Sequence, residues 1–139
     1  MTAILLIAHG SRNAEANADT VTLAAQLIDR YPIAVASFLE LATPDIDAGG
    51  AECVARGATR VILLPHFLSA GTHVRRDLTA ARERLAVRFP AVEFLLAEPI
   101  GTHPLLVEVL AQRAQESEAR HRPQSHRDTE DFTEKGKER

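Results

Sequence analysis

Four short apolar runs alternate along the chain with longer segments of helical periodicity. The runs are AILLIA at 3–8, IAVASF at 33–38, RVILLP at 60–65 and VEFLLA at 92–97. Short apolar runs of this length are typical of strands that a parallel sheet buries on both faces. Each run precedes a segment with a helical pattern, most clearly the third, at Val74, Leu78, Ala81, Leu85 and Phe89. The pattern predicts four β-strands, each followed by an α-helix.

Residues that favour helix ends mark the predicted boundaries. The first helix is predicted over about residues 12–30, and the helix starts are predicted at Ser11, Thr43-Pro44, Thr72 and Thr102 with Pro104. Gly57 is predicted to end the second helix, and Pro32 and Pro90 follow the first and third. Right-handed crossovers then favour a four-stranded parallel doubly wound sheet of order 2-1-3-4, an α/β fold.

One domain accounts for most of the chain. With 139 residues, of which 45% are hydrophobic, the chain can bury one core, and residues 1–118 are predicted to form it. From residue 119 the sequence ARHRPQSHRDTEDFTEKGKER is polar and nearly free of apolar residues. We expect residues 119–139 to form a disordered tail, in which His121 and His126 are solvated rather than bound to a metal.

Composition and charge exclude several classes of function. The 16 Lys and Arg residues are outnumbered by 19 Asp and Glu residues, so no overall positive charge would attract nucleic acid or an acidic membrane. Cys53 is the only cysteine, which excludes an intramolecular disulfide and a CxxC site. No signal-peptide pattern is visible, and no stretch approaches the roughly 18–20 apolar residues of a membrane span. We expect a cytoplasmic protein that binds neither nucleic acid nor membrane.

Histidines follow the strands where an α/β sheet binds its ligands. In open sheets, ligands bind at the carboxyl ends of the strands, in the crevice where the winding direction reverses, here between the first and third strands. His9 follows the first strand, while His66 and His73 follow the third. Glu40 follows the second strand and His103 the fourth. A loop or helix-cap role is the alternative for each residue alone, but His9 and His73 on both sides of the crevice favour a functional site.

The placement of the imidazoles favours binding of a divalent metal. His73 is predicted in or just before the first turn of its helix, and His9 precedes the first helix, so we expect the partial positive charge of each helix N-terminus to favour the uncharged imidazole. Uncharged imidazole is the form that binds metals and accepts protons. Together with the Glu40 carboxylate, the two histidines would make a sparse ligand set that leaves coordination positions open. Such a set suits a metal in transit or in catalysis.

Basic residues beside the histidines indicate a site for an anion. Arg12 lies three positions after His9, and Arg75 and Arg76 lie shortly after His73. A guanidinium group at a helix N-terminus binds carboxylate or phosphate. The alternative is that Arg76, or both of the paired arginines, lie on a solvated helix face. The residues indicate a metal-binding crevice that also holds a polyanion.

Four segments resemble a known family. LLIAHGSR, FLELATPDI, LLPHFLSAGTHVRRDL and EPIGTHPLL follow the four strands and are similar to segments of the small type II tetrapyrrole chelatases of the CbiX kind, the sirohydrochlorin chelatases. The resemblance covers residues 3–113. It implies a flavodoxin-like chelatase half-domain that works as a homodimer. It also implies that His9 and His73 are the catalytic, metal-binding histidines, with Glu40 as the acidic ligand beside them.

The remaining site residues follow from the same motifs. Ser11 and Arg12 after the first strand, and Gly71, Arg75 and Arg76 after the third, are assigned to substrate binding. Ser11 has the alternative of a helix cap. His66 departs from the family pattern, in which an apolar residue follows the proline, and is either an added ligand or a surface residue. His103 is either functional or positions the fourth helix.

The resemblance also implies a reaction. Sirohydrochlorin carries acetate and propionate groups that match the arginines. The protein would insert Co²⁺ or Fe²⁺, with Ni²⁺ as a further candidate, in cobalamin or sirohaem biosynthesis. His9 and His73 would deliver the metal and accept the two pyrrole protons, work for which a base of pKa near the operating pH is efficient. No P-loop motif is present, consistent with an ATP-independent enzyme without an organic cofactor.

Two other functions compete with this interpretation. A histidine phosphatase also has His-Gly after its first strand, but it has arginine directly before the histidine, where this chain has Ala8. A non-catalytic carrier of metal or tetrapyrrole would use the same crevice without turnover. Only an assay separates the carrier from the chelatase.

Overall fold

The computed structural model describes residues 1–121, and the rest of the predicted tail, including His126, lies outside the described residues. Strands and helices alternate as predicted. Their bounds are β1 Thr2–Ala8, α1 Ala14–Leu27, β2 Ile33–Phe38, α2 Ile46–Ala55, β3 Arg60–Pro65, α3 Thr72–Arg88, β4 Glu93–Leu96 and α4 Pro104–Arg120. One compact unit, Met1–Gly101, contains the whole sheet and the first three helices.

The four strands form one parallel sheet in the order β2-β1-β3-β4. β1 lies between β2 and β3, with Ala3 opposite Ile33 on one side and Val61 on the other. The predicted fold class and strand order are confirmed. The crevice where the winding direction reverses therefore lies between the carboxyl ends of β1 and β3.

Helices cover both faces of the sheet. On one face, strand residues pack against α2 and α3 in a cluster that includes Leu5, Ile7, Val61, Leu63, Ile46, Cys53, Leu78, Ala81 and Leu85. On the other face, a smaller cluster joins α1 to the sheet through Ile4, Leu6, Ala24, Ala34 and Ala36. Consecutive residues of β1 thus enter opposite clusters. Burial on both faces explains why β1 and β2 are apolar runs without alternation, whereas β4 at the edge of the sheet alternates exposed and buried residues.

The helix starts differ from the predicted ones by one or two residues. The N-cap residues are Asn13, Asp45, Gly71 and His103, in place of Ser11, Thr43-Pro44, Thr72 and Thr102. The Asp45 side chain, for example, accepts a hydrogen bond from the Ala48 N–H at 2.8 Å. Before α1, α2 and α4 a second polar residue capable of capping lies within two positions of the observed N-cap, so the choice between them depends on how the preceding loop is held.

α2 packs closely against its neighbours at two consecutive glycines. A methyl group at Gly49 would lie 2.8 Å from Cδ1 of Leu5, and one at Gly50 would lie 2.7 Å from Cδ1 of Leu85. Both leucines are fully buried in the core. Glycine lowers helix propensity, and here it is needed for the close approach of α2 to β1 and α3.

Cys53 lies on α2 inside the core. Burial, with a smaller contribution from the neighbouring Glu52 carboxylate, raises the pKa of the Cys53 thiol to about 12. The thiol is therefore protonated at neutral pH and is neither a nucleophile nor a metal ligand.

Ser37 on β2 carries a buried hydroxyl without a hydrogen-bond partner among the described residues. Ser37→Ala is expected to raise the free energy of unfolding by about 1 kcal/mol, because a buried polar group without a partner costs free energy. Urea denaturation measures the change. Ser11→Ala is the control: it removes a hydroxyl that accepts a hydrogen bond from the Asn13 N–H at 2.9 Å, and stability should fall. A loss of stability in Ser37→Ala would contradict the prediction.

α4 belongs to a second unit, which begins at Thr102. The Nδ1 atom of His103 accepts a hydrogen bond from the Leu105 N–H at 3.1 Å, and Pro104 occupies the first turn. His103 thus caps α4, one of the two roles that the sequence left open. The helix continues to Arg120, two residues into the predicted tail. Among the described residues, no helix is long and apolar enough to cross a membrane.

Candidate active site at the carboxyl edge of the sheet

The loops after β1, β2 and β3 meet at one edge of the sheet, here called the carboxyl edge. The Leu39 N–H donates to the Ala8 carbonyl at 3.0 Å and the Glu40 N–H to the His9 carbonyl at 3.0 Å. On the other side of β1, the His66 N–H donates to the Ile7 carbonyl at 2.7 Å. The carboxyl end of β1 is therefore held from both sides, and the loop after β2 also holds the backbone of His9.

Gly10 makes this arrangement possible. It has a φ of 95°, a conformation that other residues rarely adopt. A Cβ atom at this position would overlap the carbonyl oxygen of Glu40 and would lie 2.9 Å from its carbonyl carbon. Only glycine allows the chain to pass so close to β2 and turn towards α1. Gly10 thus fixes the position of His9 at the carboxyl edge.

The side chain of His9 is exposed and rests on an aromatic ring. The centroids of the His9 and Phe67 rings are 4.9 Å apart, with an angle of 43° between the planes. Phe67 is 8% exposed and belongs to the core cluster of α2 and α3. The sequence interpretation missed Phe67. Phe67 could have been found from the sequence, because it is an apolar residue two positions after β3 and continues the alternation of Val61 and Leu63 on one face of the sheet.

The side chains of β3 form two rows, one on each face of the sheet, and His66 lies in the row opposite to that of Phe67. Ile62 and Leu64 pack against the α1 cluster, whereas Val61, Leu63 and Phe67 belong to the opposite one. Because side chains of a strand alternate between faces and His66 continues the backbone pairing with β1, His66 falls in the row of Ile62 and Leu64. It is separated from the row that carries Phe67 beneath His9. This placement favours the interpretation of His66 as a residue outside the metal site.

His73 lies in the first turn of α3 and is exposed. The N-cap of α3 is Gly71, and no side chain caps this helix. The N–H groups of the first turn therefore have no side-chain acceptor, and with the helix dipole they give this end of α3 a partial positive charge. The predicted Gly71 and His73 thus stand where an anionic group could accept hydrogen bonds from the helix.

The three predicted metal ligands do not form a complete site within the chain. Among residues 1–121, no group of three or more His, Cys, Asp or Glu side chains is arranged to hold a metal ion. The Glu40 backbone is adjacent to His9, but backbone pairing does not bring the carboxylate into such a group. A metal at His9 or His73 would therefore keep several positions for water or for ligands from another molecule.

The predicted substrate-binding residues have different surroundings. Arg75 is engaged within the chain, since its Nε donates to the Ala70 carbonyl at 3.2 Å and its Nη1 lies 3.6 Å from Oε1 of Glu98. Arg12 and Arg76 are exposed, and neither has an ion-pair partner among the described residues. The Ser11 hydroxyl accepts the hydrogen bond from Asn13. Arg12 and Arg76 are thus free to meet an anion, while Arg75 and Ser11 hold loops.

A cleft of about 230 Å³ lies between α2 and α3 beside this edge. Its lining residues are Leu39, Asp45, Ile46, Asp47, Asp77, Ala80 and Arg84. The Arg84 Nε lies 3.3 Å from Oδ2 of Asp47, so the one cation of the lining is paired. His9 and His73 are not part of this cleft and lie exposed. A large ligand would contact them on an open surface.

The fold and this edge define a small doubly wound α/β protein of the flavodoxin-like class, with exposed imidazoles at the ligand-binding end of its sheet. The chain belongs to the CbiX family, whose model matches residues 3–117. The family predicted from the sequence is confirmed.

Relatives of known activity share most of the chain. It is 34% identical over 119 residues to a sirohydrochlorin ferrochelatase of Priestia megaterium, covering 84% of this chain and 45% of that protein. It is 29% identical to a sirohydrochlorin cobaltochelatase of Sulfolobus acidocaldarius, covering 84% of this chain and 93% of that protein. The sirohydrochlorin chelatase SirB of Bacillus subtilis subspecies spizizenii, solved in complex with cobalt, superimposes with a TM-score of 0.76 at 30% identity, covering 83% of this chain and 50% of that one.

The relatives differ in length. The chain spans about half of the Priestia megaterium ferrochelatase and of a chloroplastic ferrochelatase of Arabidopsis thaliana, of which it covers 45% and 51%.

Proposed function

We propose that this protein is a sirohydrochlorin chelatase that inserts Co²⁺ or Fe²⁺ into the macrocycle without ATP or an organic cofactor. The observation that carries the proposal is the exposed His9 at the carboxyl edge, in a chain that matches the CbiX family over residues 3–117. Ferrochelatases and cobaltochelatases both occur among the relatives, so iron and cobalt remain joint candidates for the substrate metal. Nickel stays a prediction from the sequence alone.

Insertion exchanges two protons for one divalent ion. The macrocycle loses two pyrrole N–H protons as its four nitrogens take the metal, and the released protons pass to bases or to water. We assign to His9 and His73 the delivery of the metal and the acceptance of these protons. An imidazole that binds the metal with few other protein ligands suits transfer, because the macrocycle can replace water in the open positions. The incomplete ligand set among residues 1–121 supports this assignment.

The carboxylates of the substrate need cationic partners. We assign this role to Arg12 and Arg76, which are exposed and without an ion-pair partner among the described residues, and to the uncapped N-terminus of α3 at Gly71. Guanidinium groups bind carboxylates through paired hydrogen bonds. Arg75, held by Ala70 and Glu98, would shape the loop before α3 and contribute positive charge at a greater distance. Glu40 would contact the metal only as an added ligand.

A homodimer would complete the site. One chain has a single carboxyl edge with exposed histidines, and a broad macrocycle resting there would be covered on one side only. Relatives about twice as long as this chain support an arrangement of two such units. Two copies related by a twofold axis would place two edges against one substrate. The cytoplasmic location stays a prediction.

Turnover tests the proposal. The purified protein is incubated anaerobically with a tenfold molar excess of sirohydrochlorin and either Co²⁺ or Fe²⁺, without nucleotide, and the visible spectrum of the macrocycle is followed. More than one equivalent of metallated product per chain, formed faster than in the protein-free control, is the expected result. Product limited to one equivalent would instead identify a carrier. Release of phosphate from phosphomonoesters, lost in His9→Ala, would identify a phosphatase.

A further inference from the structure

We propose that Phe67 is a positioning residue for His9: its ring, and not a hydrogen bond, orients the imidazole that handles the metal. The inference rests on the chelatase function proposed above, and it adds a residue that the four sequence motifs did not assign. Phe67 contacts His9 and would act through it, without touching the reacting atoms.

The pairing of β1 with β3 brings the two rings together. The hydrogen bond from the His66 N–H to the Ile7 carbonyl, 2.7 Å long, continues the sheet one residue beyond β3. The next residue, Phe67, then lies beside His9, with 4.9 Å between ring centroids and 43° between the planes. This separation is within the range in which aromatic rings attract one another in tilted arrangements. Sheet register therefore places the two residues side by side.

Phe67 itself is firmly held. Its side chain is 8% exposed and packs in the core cluster of α2 and α3. Its carbonyl accepts a hydrogen bond from the Ile100 N–H at 3.0 Å, and the Leu68 carbonyl accepts one from the Gly101 N–H at 2.6 Å. The loop after β3 is thus paired with the segment after β4. The ring is a fixed surface against which the imidazole of His9 rests.

His9 has no other orienting partner among residues 1–121. Its ring nitrogens take part in none of the side-chain hydrogen bonds found there. Histidines that bind metals permanently usually donate the second ring N–H to a carboxylate or carbonyl, which fixes the ring and strengthens metal binding. An aromatic contact fixes the plane of the ring and leaves both nitrogens available. Such a histidine can take up a metal and release it, as a chelatase requires.

Phe67→Leu tests this role, because leucine keeps an apolar side chain in the core and removes the aromatic face. We expect kcat for metal insertion to fall about three- to tenfold, the size of an aromatic pair contribution, with KM for sirohydrochlorin changed less than about twofold. Phe67→Tyr keeps the ring and should retain at least about half of kcat. Phe94→Leu is the matched control: Phe94 is 4% exposed in the same cluster, and its loss should lower stability without this change in kcat.

Equal losses of kcat in Phe67→Leu and Phe94→Leu would show that Phe67 only stabilises the core, and would overturn the proposal. A readout without turnover separates this outcome from failure of the chelatase function. The ring C–H resonances of His9, assigned in NMR spectra by their loss in His9→Ala, should show nuclear Overhauser contacts to the Phe67 ring in the wild-type protein and should shift in Phe67→Leu. Absence of these contacts overturns the positioning role, whether or not the wild type inserts metal.

Discussion

Replacing His9 by alanine is expected to lower the rate of metal insertion into sirohydrochlorin by a factor of about 100 or more, which is the size of a typical general acid–base contribution. The imidazole would be both the exposed metal ligand at the carboxyl edge and an acceptor of pyrrole protons. Among the described residues, no group of three or more His, Cys, Asp or Glu side chains is arranged to bind the metal in its place. His73→Ala should show a loss of similar size. The measurement is the initial rate of the metal-dependent change in the visible spectrum.

The histidine at residue 66 supplies the matched control. It stands within the same loop as Phe67, but in the row of Ile62 and Leu64, away from His9. His66→Ala should therefore keep the insertion rate within about twofold, since it removes an imidazole from the same edge without touching the proposed metal ligand. Far-ultraviolet circular dichroism of His9→Ala and His73→Ala should match the wild type, because His9 and His73 are exposed. Parental rates in both His9→Ala and His73→Ala would contradict the site assignment.

Gly10→Ala is expected to destabilise the protein by more than about 4 kcal/mol, a large part of the roughly 5–15 kcal/mol typical of a domain. The new Cβ would overlap the carbonyl oxygen of Glu40 and lie 3.3 Å from Cβ of Phe38, and the backbone would keep a φ of 95° that alanine disfavours. A backbone carbonyl within a hydrogen-bonded turn cannot move aside as a flexible side chain can. Thermal and urea denaturation measure the effect.

Two other glycines separate the clash from backbone strain. Gly57 has a φ of 104° but open space around the missing Cβ, so Gly57→Ala should cost only about 1–2 kcal/mol. Gly71 has a φ of −73° and also open space, so Gly71→Ala should change stability by about 0.5 kcal/mol or less. A Gly10→Ala variant no less stable than Gly57→Ala would show that β1 and β2 do not approach each other at the carboxyl edge as described.

The consequences of Gly10→Ala extend to the active site. The hydrogen bond from the Glu40 N–H to the His9 carbonyl lies directly beside the clash. Any relaxation that relieves the overlap must separate Glu40 from His9 or displace the end of β1. The variant should therefore lose insertion activity even under conditions where it remains folded, and its loss of activity should exceed that of Gly57→Ala.

Local sequence patterns were enough to predict the architecture. An apolar run of six residues, such as AILLIA at 3–8, indicates a strand buried on both faces, and a sheet covered by helices on both sides provides this burial for β1 and β2. Right-handed crossovers then leave few possible strand orders, and the observed β2-β1-β3-β4 is the one expected. Because parallel strands end at the same edge, the predicted gathering of His9, Glu40 and His66 near that edge also required no knowledge of side-chain packing.

The details of the edge could not be predicted in the same way. Asn13 and Asp45 cap helices for which Ser11 and Thr43-Pro44 were expected, because the path of each preceding loop decides which oxygen reaches a free N–H. The sequence gives no reason to distinguish the neighbouring Arg75 and Arg76. In the structure, Arg75 contacts the Ala70 carbonyl and the Glu98 carboxylate. The ion pair between Arg75 and Glu98 joins residues that are 23 positions apart along the chain.

Sequence by itself therefore determined the order and type of the elements, the parallel sheet and the edge of the sheet at which His9, Glu40 and His66 lie. Tertiary structure alone decided that Phe67 supports His9, that Gly10 passes beneath the Glu40 carbonyl and that His66 falls in the other row. The physical reason is the separation of the residues along the chain. The apolar patterns of strands and helices repeat within a few positions, whereas register and ring contacts arise only when β1, β2 and β3 lie side by side.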